Sequence, residues 1–179
     1  MEKVFTGIQF RYGNVRAIPK NVEDTRTIPF VISSAQRDRH GTILNIDGWE
    51  IDNYLRNPLV GLMHAIYDGW NKPDIDNVVG KNVKIYFEGE NDQKVMIGDT
   101  MFEPAEINPQ AERVFRKVLF GSLNAVSVGF DTIGQGRWGV GEEAIDGENP
   151  TYRFNGQELL EYSIVMIPSN PGATKRKLG

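Results

Sequence analysis

The chain has 179 residues, 40% of them hydrophobic and 25% charged, with a formal net charge of −4 and no cysteine. This is the composition of one ordinary soluble domain, long enough to bury its own core, and it excludes a disulfide framework and thiolate chemistry. The acidic balance argues against a general nucleic-acid binder, which carries a basic face. No apolar run approaches the roughly 20 residues of a membrane-spanning helix, and the first ten residues lack the apolar core of a secretory signal. The expectation is a single soluble, intracellular domain over residues 1–179 that binds neither nucleic acid nor membrane. Its one basic cluster, Lys175, Arg176 and Lys177, reads as a solvated tail over 174–179.

Taken in chain order, 27–35 is β-branched and aromatic and predicts a strand. A charged turn follows over 36–41, then a short strand over 42–46. Asp47, with Glu50 three positions later, has the form of a capping box. It predicts a helix over 48–56 that stops before Pro58. The apolar run 59–63 delivers His64 at its end. Residues 67–77 read as a loop. Residues 78–87 and 94–101, joined by a turn over 89–92, read as a hairpin, with Val83, Ile85 and Phe87 on one face. Asn108 followed by Pro109 starts a helix, whose apolar set Ala111, Val114, Phe115, Val118 and Leu119 follows one helical face. Gly121 ends it.

Residues 122–131 alternate as a strand, with Val126, Val128 and Phe130 on one side and Ala125, Ser127 and Gly129 on the other. Residues 134–149 hold five glycines and predict a long loop with a short hairpin near Trp138. The last strand covers 159–167, ahead of a turn over 168–172. Roughly six to eight strands and two longer helices do not alternate as a doubly wound sheet does. The class expected is mainly β (α+β), a mostly antiparallel β-barrel with flanking helices.

Three residues stand out for chemistry. There are only two histidines: His64 within NPLVGLMHA, and His40 among charges in RDRHG. An isolated histidine is more often structural than catalytic, and two without a cysteine do not make a structural zinc site. Ser127 lies mid-strand between two small face-mates, Ala125 and Gly129, which leaves space above its hydroxyl. The alternative is a buried strand serine bonded to a neighbouring carbonyl. Glu161 lies in the apolar strand LLEYSIVMI, with Leu159, Ser163 and Val165 as expected face-mates. A carboxylate there must be paired if it is buried, either with an imidazolium or with an arginine, unless an edge strand leaves it in water. Together the three supply a nucleophile, a base and an orienting acid in the order His, Ser, Glu. That order is not the one found in chymotrypsin, subtilisin or the α/β-hydrolases, and there is no G-x-S-x-G elbow.

Three stretches carry a resemblance: DRHGTILNIDGWEIDNYLRNPLVGLMH (38–64), AERVFRKVLFGSLNAVSVGF (111–130) and ELLEYSIVMIPSNPGA (158–173). In this order the chain resembles the HK97-type prohead (capsid maturation) proteases of tailed phages, themselves similar in fold to the herpesvirus assemblins. The resemblance implies a serine endopeptidase with His64 as base, Ser127 as nucleophile and Glu161 as orienting acid. His40 is the reserve third member, since assemblins use a second histidine. The resemblance further implies acyl-enzyme chemistry without metal or organic cofactor. The substrates implied are segments of the major capsid and scaffold proteins and the enzyme's own tail. Self-association into a homo-oligomer and a location in the host cytoplasm, inside the assembling prohead, follow from the same likeness. The insert at 134–149 is longer than the family usually has. Two other readings stay open: an inactive capsid-assembly barrel, and a glycosidase built on Asp74 and Asp76.

Overall fold

The computed structural model describes residues 9–14, 20–38, 40–66, 72–140 and 151–167. In chain order these form β1 (Gln9–Asn14), the single helical turn α1 (Val22–Thr25), β2 (Thr27–Ser34), β3 (Thr42–Ile43), β4 (Trp49–Glu50), α2 (Asp52–Arg56) and β5 (Leu59–Leu62). There follow β6 (Val78–Glu88), β7 (Val95–Phe102), α3 (Pro109–Phe120), β8 (Ala125–Ile133), β9 (Arg137–Trp138), β10 (Tyr152–Arg153) and β11 (Gly156–Val165). One large sheet runs β1-β8-β11-β5-β6-β7-β2, with β4 pairing onto β11, and a small sheet joins β3-β10-β9.

The class is mainly β with few helices, and most pairings are antiparallel, as expected; the exceptions are β11, parallel to β4 and to β5, and β10, parallel to β3. The difference from the expected barrel is that the large sheet is curled without being closed. Its end strands β1 and β2 come near one another, yet no ladder among the described residues joins them. The curl follows from strand twist and from register shifts in the β2–β7, β5–β6, β6–β7 and β8–β11 ladders, since each bulge bends its strand and raises local twist. Closure would additionally require a fixed stagger around the whole ring.

The inner face carries Val126, Val128 and Phe130 of β8 beside Leu159, Tyr162 and Ile164 of β11, all buried in the core with Phe30 and Phe102. Helix α3 closes it with Ala111, Val114, Phe115 and Val118, the face read from the sequence, and Phe115 meets Phe102 at 5.5 Å. At the centre, the buried Tyr162 hydroxyl lies 2.8 Å from Thr100 Oγ1 and accepts from Asn82 Nδ2 at 3.0 Å. Burial holds this phenol protonated, well above its ordinary range.

The helix expected over 48–56 forms only at Asp52–Arg56, without a side-chain cap. Trp49 and Glu50 instead pair with Gln157 and Glu158 of β11. The buried Trp49 indole donates to Ser33 Oγ at 3.1 Å and packs edge-on against Phe130. Asp47, the expected cap, forms an ion pair with Lys94. A strand pairing made far along the chain thus overrides a local capping signal. Near Trp138, where a short hairpin within 134–149 was expected, β9 pairs antiparallel with β10, which lies beyond the insert. The rest of the glycine-rich insert, 141–150, lies outside the described residues, as do the expected turn at 168–172 and the basic tail.

Asn108 ties α3 to the sheet from both ends of its amide. Its Oδ1 accepts from the backbone of Gln110 and Ala111 at 2.9 and 3.2 Å, capping the helix. Its Nδ2 donates to the Asp76 and Val78 carbonyls, each at 2.9 Å. Asn108→Ala should lower stability by about 2 kcal/mol, read by urea unfolding. Asn108→Asp keeps the cap acceptor but turns a charged oxygen on two carbonyls, so it should not restore stability. Recovery in the Asp variant would show that the cap alone matters.

Candidate active site

The site is built on two neighbouring interior strands, β8 and β11. Directly paired residues on antiparallel strands project to the same face. Ser163 pairs with Ser127 and Glu161 with Gly129, while Tyr162 pairs with Val128 and Leu159 with Phe130. Ser127, Gly129, Glu161 and Ser163 therefore share the face opposite the core. Simple alternation placed Leu159 on the same face as Glu161; it lies on the other one. The reason is a bulge between Leu159 and Glu161, in which Leu160 is the extra residue. The bulge lets Leu159 point into the core and re-aims Glu161 toward Ser127's side.

His64 arrives from the neighbouring strand. β5 runs parallel to β11, with Gly61 opposite Ser163 and Leu62 opposite Ile164. The Met63 amide donates to the Ile164 carbonyl at 2.9 Å. The chain then turns sharply, with Met63 and His64 both left-handed at φ 56° and 58°. For non-glycine residues this costs roughly 1–2 kcal/mol each, and such strain persists only where the surroundings enforce it. Ala65 N closes the turn onto Leu62 O at 3.0 Å, and Asn77 Nδ2 donates to Ala65 O at 3.3 Å.

The turn sets the imidazole against the acid. His64 Nδ1 lies 2.6 Å from Glu161 Oε1, with the two side chains 15% and 6% exposed. The other oxygen, Glu161 Oε2, accepts from Ser163 Oγ at 2.6 Å. Glycines make the room. A Cβ on Gly129 would lie 2.5 Å from Glu161 Oε1, and one on Gly61 would lie 2.5 Å from Ser163 Oγ. The space that small residues were expected to leave above Ser127 is thus partly filled, at Gly129, by the carboxylate. Nearby, Tyr54 donates to Leu59 O at 3.1 Å. Burial first, then Tyr162 and the charge of Glu161, pushes its phenol pKa far up.

Ser127 itself is fully buried, and its Oγ has no hydrogen-bond partner among the described residues. The carbonyl-bonded structural serine is therefore not what forms. Neither is a hydrogen bond from Ser127 to the imidazole, a contact that unliganded sites often leave long. His40 is exposed at its turn, where its backbone N–H donates to the Asp38 carboxylate; the place beside His64 Nδ1 belongs to Glu161. Asp74 accepts from the Asp76 amide at 3.0 Å and caps an exposed turn of 3₁₀ helix, so these acids organise a loop. Among the described residues no group of three His, Asp or Glu could hold a metal ion, and no helix is long and apolar enough to cross a membrane. The sequence reading missed Gly61 and gave Ser163 no role beyond sharing a face; the only available signal was its place two residues after Glu161 on one strand.

Because the Glu161 side chain lies where a Cβ on Gly129 would sit, Gly129→Ala should displace the carboxylate and lower stability by about 1–3 kcal/mol, as overpacking does. Thermal unfolding together with the imidazole resonances of His64 would read both effects. An unchanged melting temperature and unchanged resonances would show that the carboxylate is not seated on Gly129.

Comparison with known proteins agrees with this architecture. None of the curated proteins matches the sequence. Among solved structures, the capsid assembly protease gp21 of bacteriophage T4 superposes with a TM-score of 0.59 at 11% identity, covering 90% of this chain and 98% of that one. At that identity the likeness is one of fold. The family model described as Caudovirus prohead serine protease matches residues 74–178, a span that includes Ser127 and Glu161 and begins after His64. Since that match covers more than half of the chain, the protein belongs to the prohead serine protease family of tailed phages.

Proposed function

We propose that the chain is a single-domain serine endopeptidase acting by acyl transfer, with Ser127 as nucleophile, His64 as base and Glu161 as its orienting acid. The observation that carries this is the 2.6 Å contact between His64 Nδ1 and Glu161 Oε1, on the face where Ser127 holds an unpartnered hydroxyl. A carboxylate at Nδ1 fixes the tautomer with the proton on that nitrogen and leaves Nε2 to act as the base. His64 then takes the Ser127 proton as Oγ attacks a peptide carbonyl, and Glu161 stabilises the imidazolium. His64 returns the proton to the leaving amine. Water, deprotonated by His64, cleaves the acyl-enzyme. Ser127 sits within two ladders, to β1 and to β11, so the donors for the oxyanion belong outside β8.

Membership of the family supports capsid and scaffold segments, and the enzyme's own tail, as substrates inside the prohead. Full burial of Ser127 means its face must open before a peptide bond can reach it. This fits an enzyme that self-associates and is quiet until it is confined with its substrate.

Active-site labelling tests the reading. A fluorophosphonate probe should modify Ser127 alone, as mapped by mass spectrometry. Ser127→Ala should abolish labelling, and Glu161→Gln should slow it by up to about 10⁴-fold, the loss seen when a triad acid is neutralised. His64→Ala should cost at least as much. Absence of labelling, together with failure to cleave the cognate capsid protein when co-assembled, would favour an inactive assembly domain. Labelling that persists without His64 would remove His64 as the base.

A further inference from the structure

We infer that Ser163 is a positioning residue of the site. Its hydroxyl holds the Glu161 carboxylate in the one orientation that presents Oε1 to His64. The inference rests on the proposed roles of His64 and Glu161 and adds a fourth residue to them.

The geometry argues for it from both sides. A glutamate's terminal torsion is broad, so a single hydrogen bond at Oε1 leaves the carboxylate plane free to swing. The second bond, from Ser163 Oγ to Oε2 at 2.6 Å, fixes that plane. Ionised carboxylates only accept, so the serine is the donor, and the short separation is that of a charge-assisted bond. Both residues are buried, at 0% and 5% exposure, so water does not offer the carboxylate an equivalent donor. Ser163 is itself held. It pairs with Ser127 on one side and with Gly61 on the other, and a Cβ on Gly61 would meet its Oγ at 2.5 Å. The missing side chain at position 61 is the room in which the hydroxyl sits.

The same contacts argue against Ser163 as an alternative nucleophile. Its proton is committed to Glu161, and Glu161 also occupies His64 Nδ1. An attacking serine requires an imidazole nitrogen instead, and the hydroxyl on this face not already committed to Glu161 is that of Ser127.

Proton NMR of the full chain tests the inference without requiring turnover. An imidazole N–H donating to a buried carboxylate resonates far downfield. The chain has two histidines, so His40→Gln assigns the signal to His64. Glu161→Gln should abolish the signal, and Ser163→Ala should abolish it or move it markedly upfield while the fold, read by circular dichroism, is kept. Fluorophosphonate labelling of Ser127 should slow about 10–100-fold in Ser163→Ala, the range for a lost hydrogen bond to a charged group. If Ser163→Ala does not fold, Ser163→Cys keeps the shape with only a weak donor and should show the same changes to a smaller degree. A wild-type protein without the downfield signal overturns the inference. So does a Ser163 variant in which the signal, or the labelling rate of a protein that labels, is unchanged. Failure of the wild-type protein to label at Ser127, together with failure to cleave co-assembled capsid protein, counts against the peptidase reading instead, and the resonance then still decides whether Ser163 holds the carboxylate.

Discussion

A carboxylate buried on the face of an interior strand is the constraint around which this site is arranged. Removing an ion of that size from water costs several kcal/mol even after relaxation, and neighbours must return it through charge and hydrogen bonds. Glu161 is 5% exposed, and both of its oxygens are engaged, one by His64 and one by Ser163. Each partner comes with its own requirement. Ser163 needs the absence of a side chain at Gly61, the carboxylate needs the absence of one at Gly129, and His64 needs a turn that L-residues resist. The glycines, the left-handed turn and the parallel placement of β5 beside β11 all bear on how this one acid is satisfied.

The bulge in β11 explains how such an acid can lie in a strand that also builds the core. A regular strand with Leu159 facing inward would send Glu161 inward as well, because side chains two apart share a face. One extra residue at Leu160 changes the phase, so that Leu159, Tyr162 and Ile164 serve the core while Glu161 and Ser163 serve the opposite face. A register shift elsewhere in the strand would move the core face along with the site face. The bulge is therefore the step at which β11 acquires two functions.

Much of this was legible in the sequence, and the boundary has physical causes. The amphipathic face of α3, its Asn108 cap and its Gly121 stop are local signals, and they describe the helix that forms. His64 was singled out as one of only two histidines, Ser127 for its small face-mates and Glu161 as an acid in an apolar strand, with the family resemblance joining them, and His64 and Glu161 do meet. Whether they serve as base and acid is a separate matter, left to the labelling. What escaped were features decided by distant pairing. The capping box at Asp47 and Glu50 lost to a ladder with β11. The bulge at Leu160 reversed the face of Leu159, because alternation cannot anticipate an unpaired residue. The closed barrel gave way to a curled sheet, because closure depends on stagger summed over every strand. Neither β1 nor the tie from Ser163 had a local signature beyond ordinary strand residues.

The two strands that flank β11 near the site divide the work. β8 is antiparallel to it and fixes Ser127 by register, with no freedom to slide unless the whole inner face slides too. β5 is parallel to it and contributes only three register pairs before Met63, so His64 rides on a short strand and a strained turn. That turn is held through Asn77, which in turn accepts at its Oδ1 from Gln110 Nε2 in the first turn of α3. Ser127 is thus held by ladders on both sides of its strand, whereas His64 lies past the end of β5 and is held by a turn. Of the two, the His64 turn is the part that a neighbouring molecule could shift with less energy, since a turn beyond a strand's end opens without breaking a core ladder.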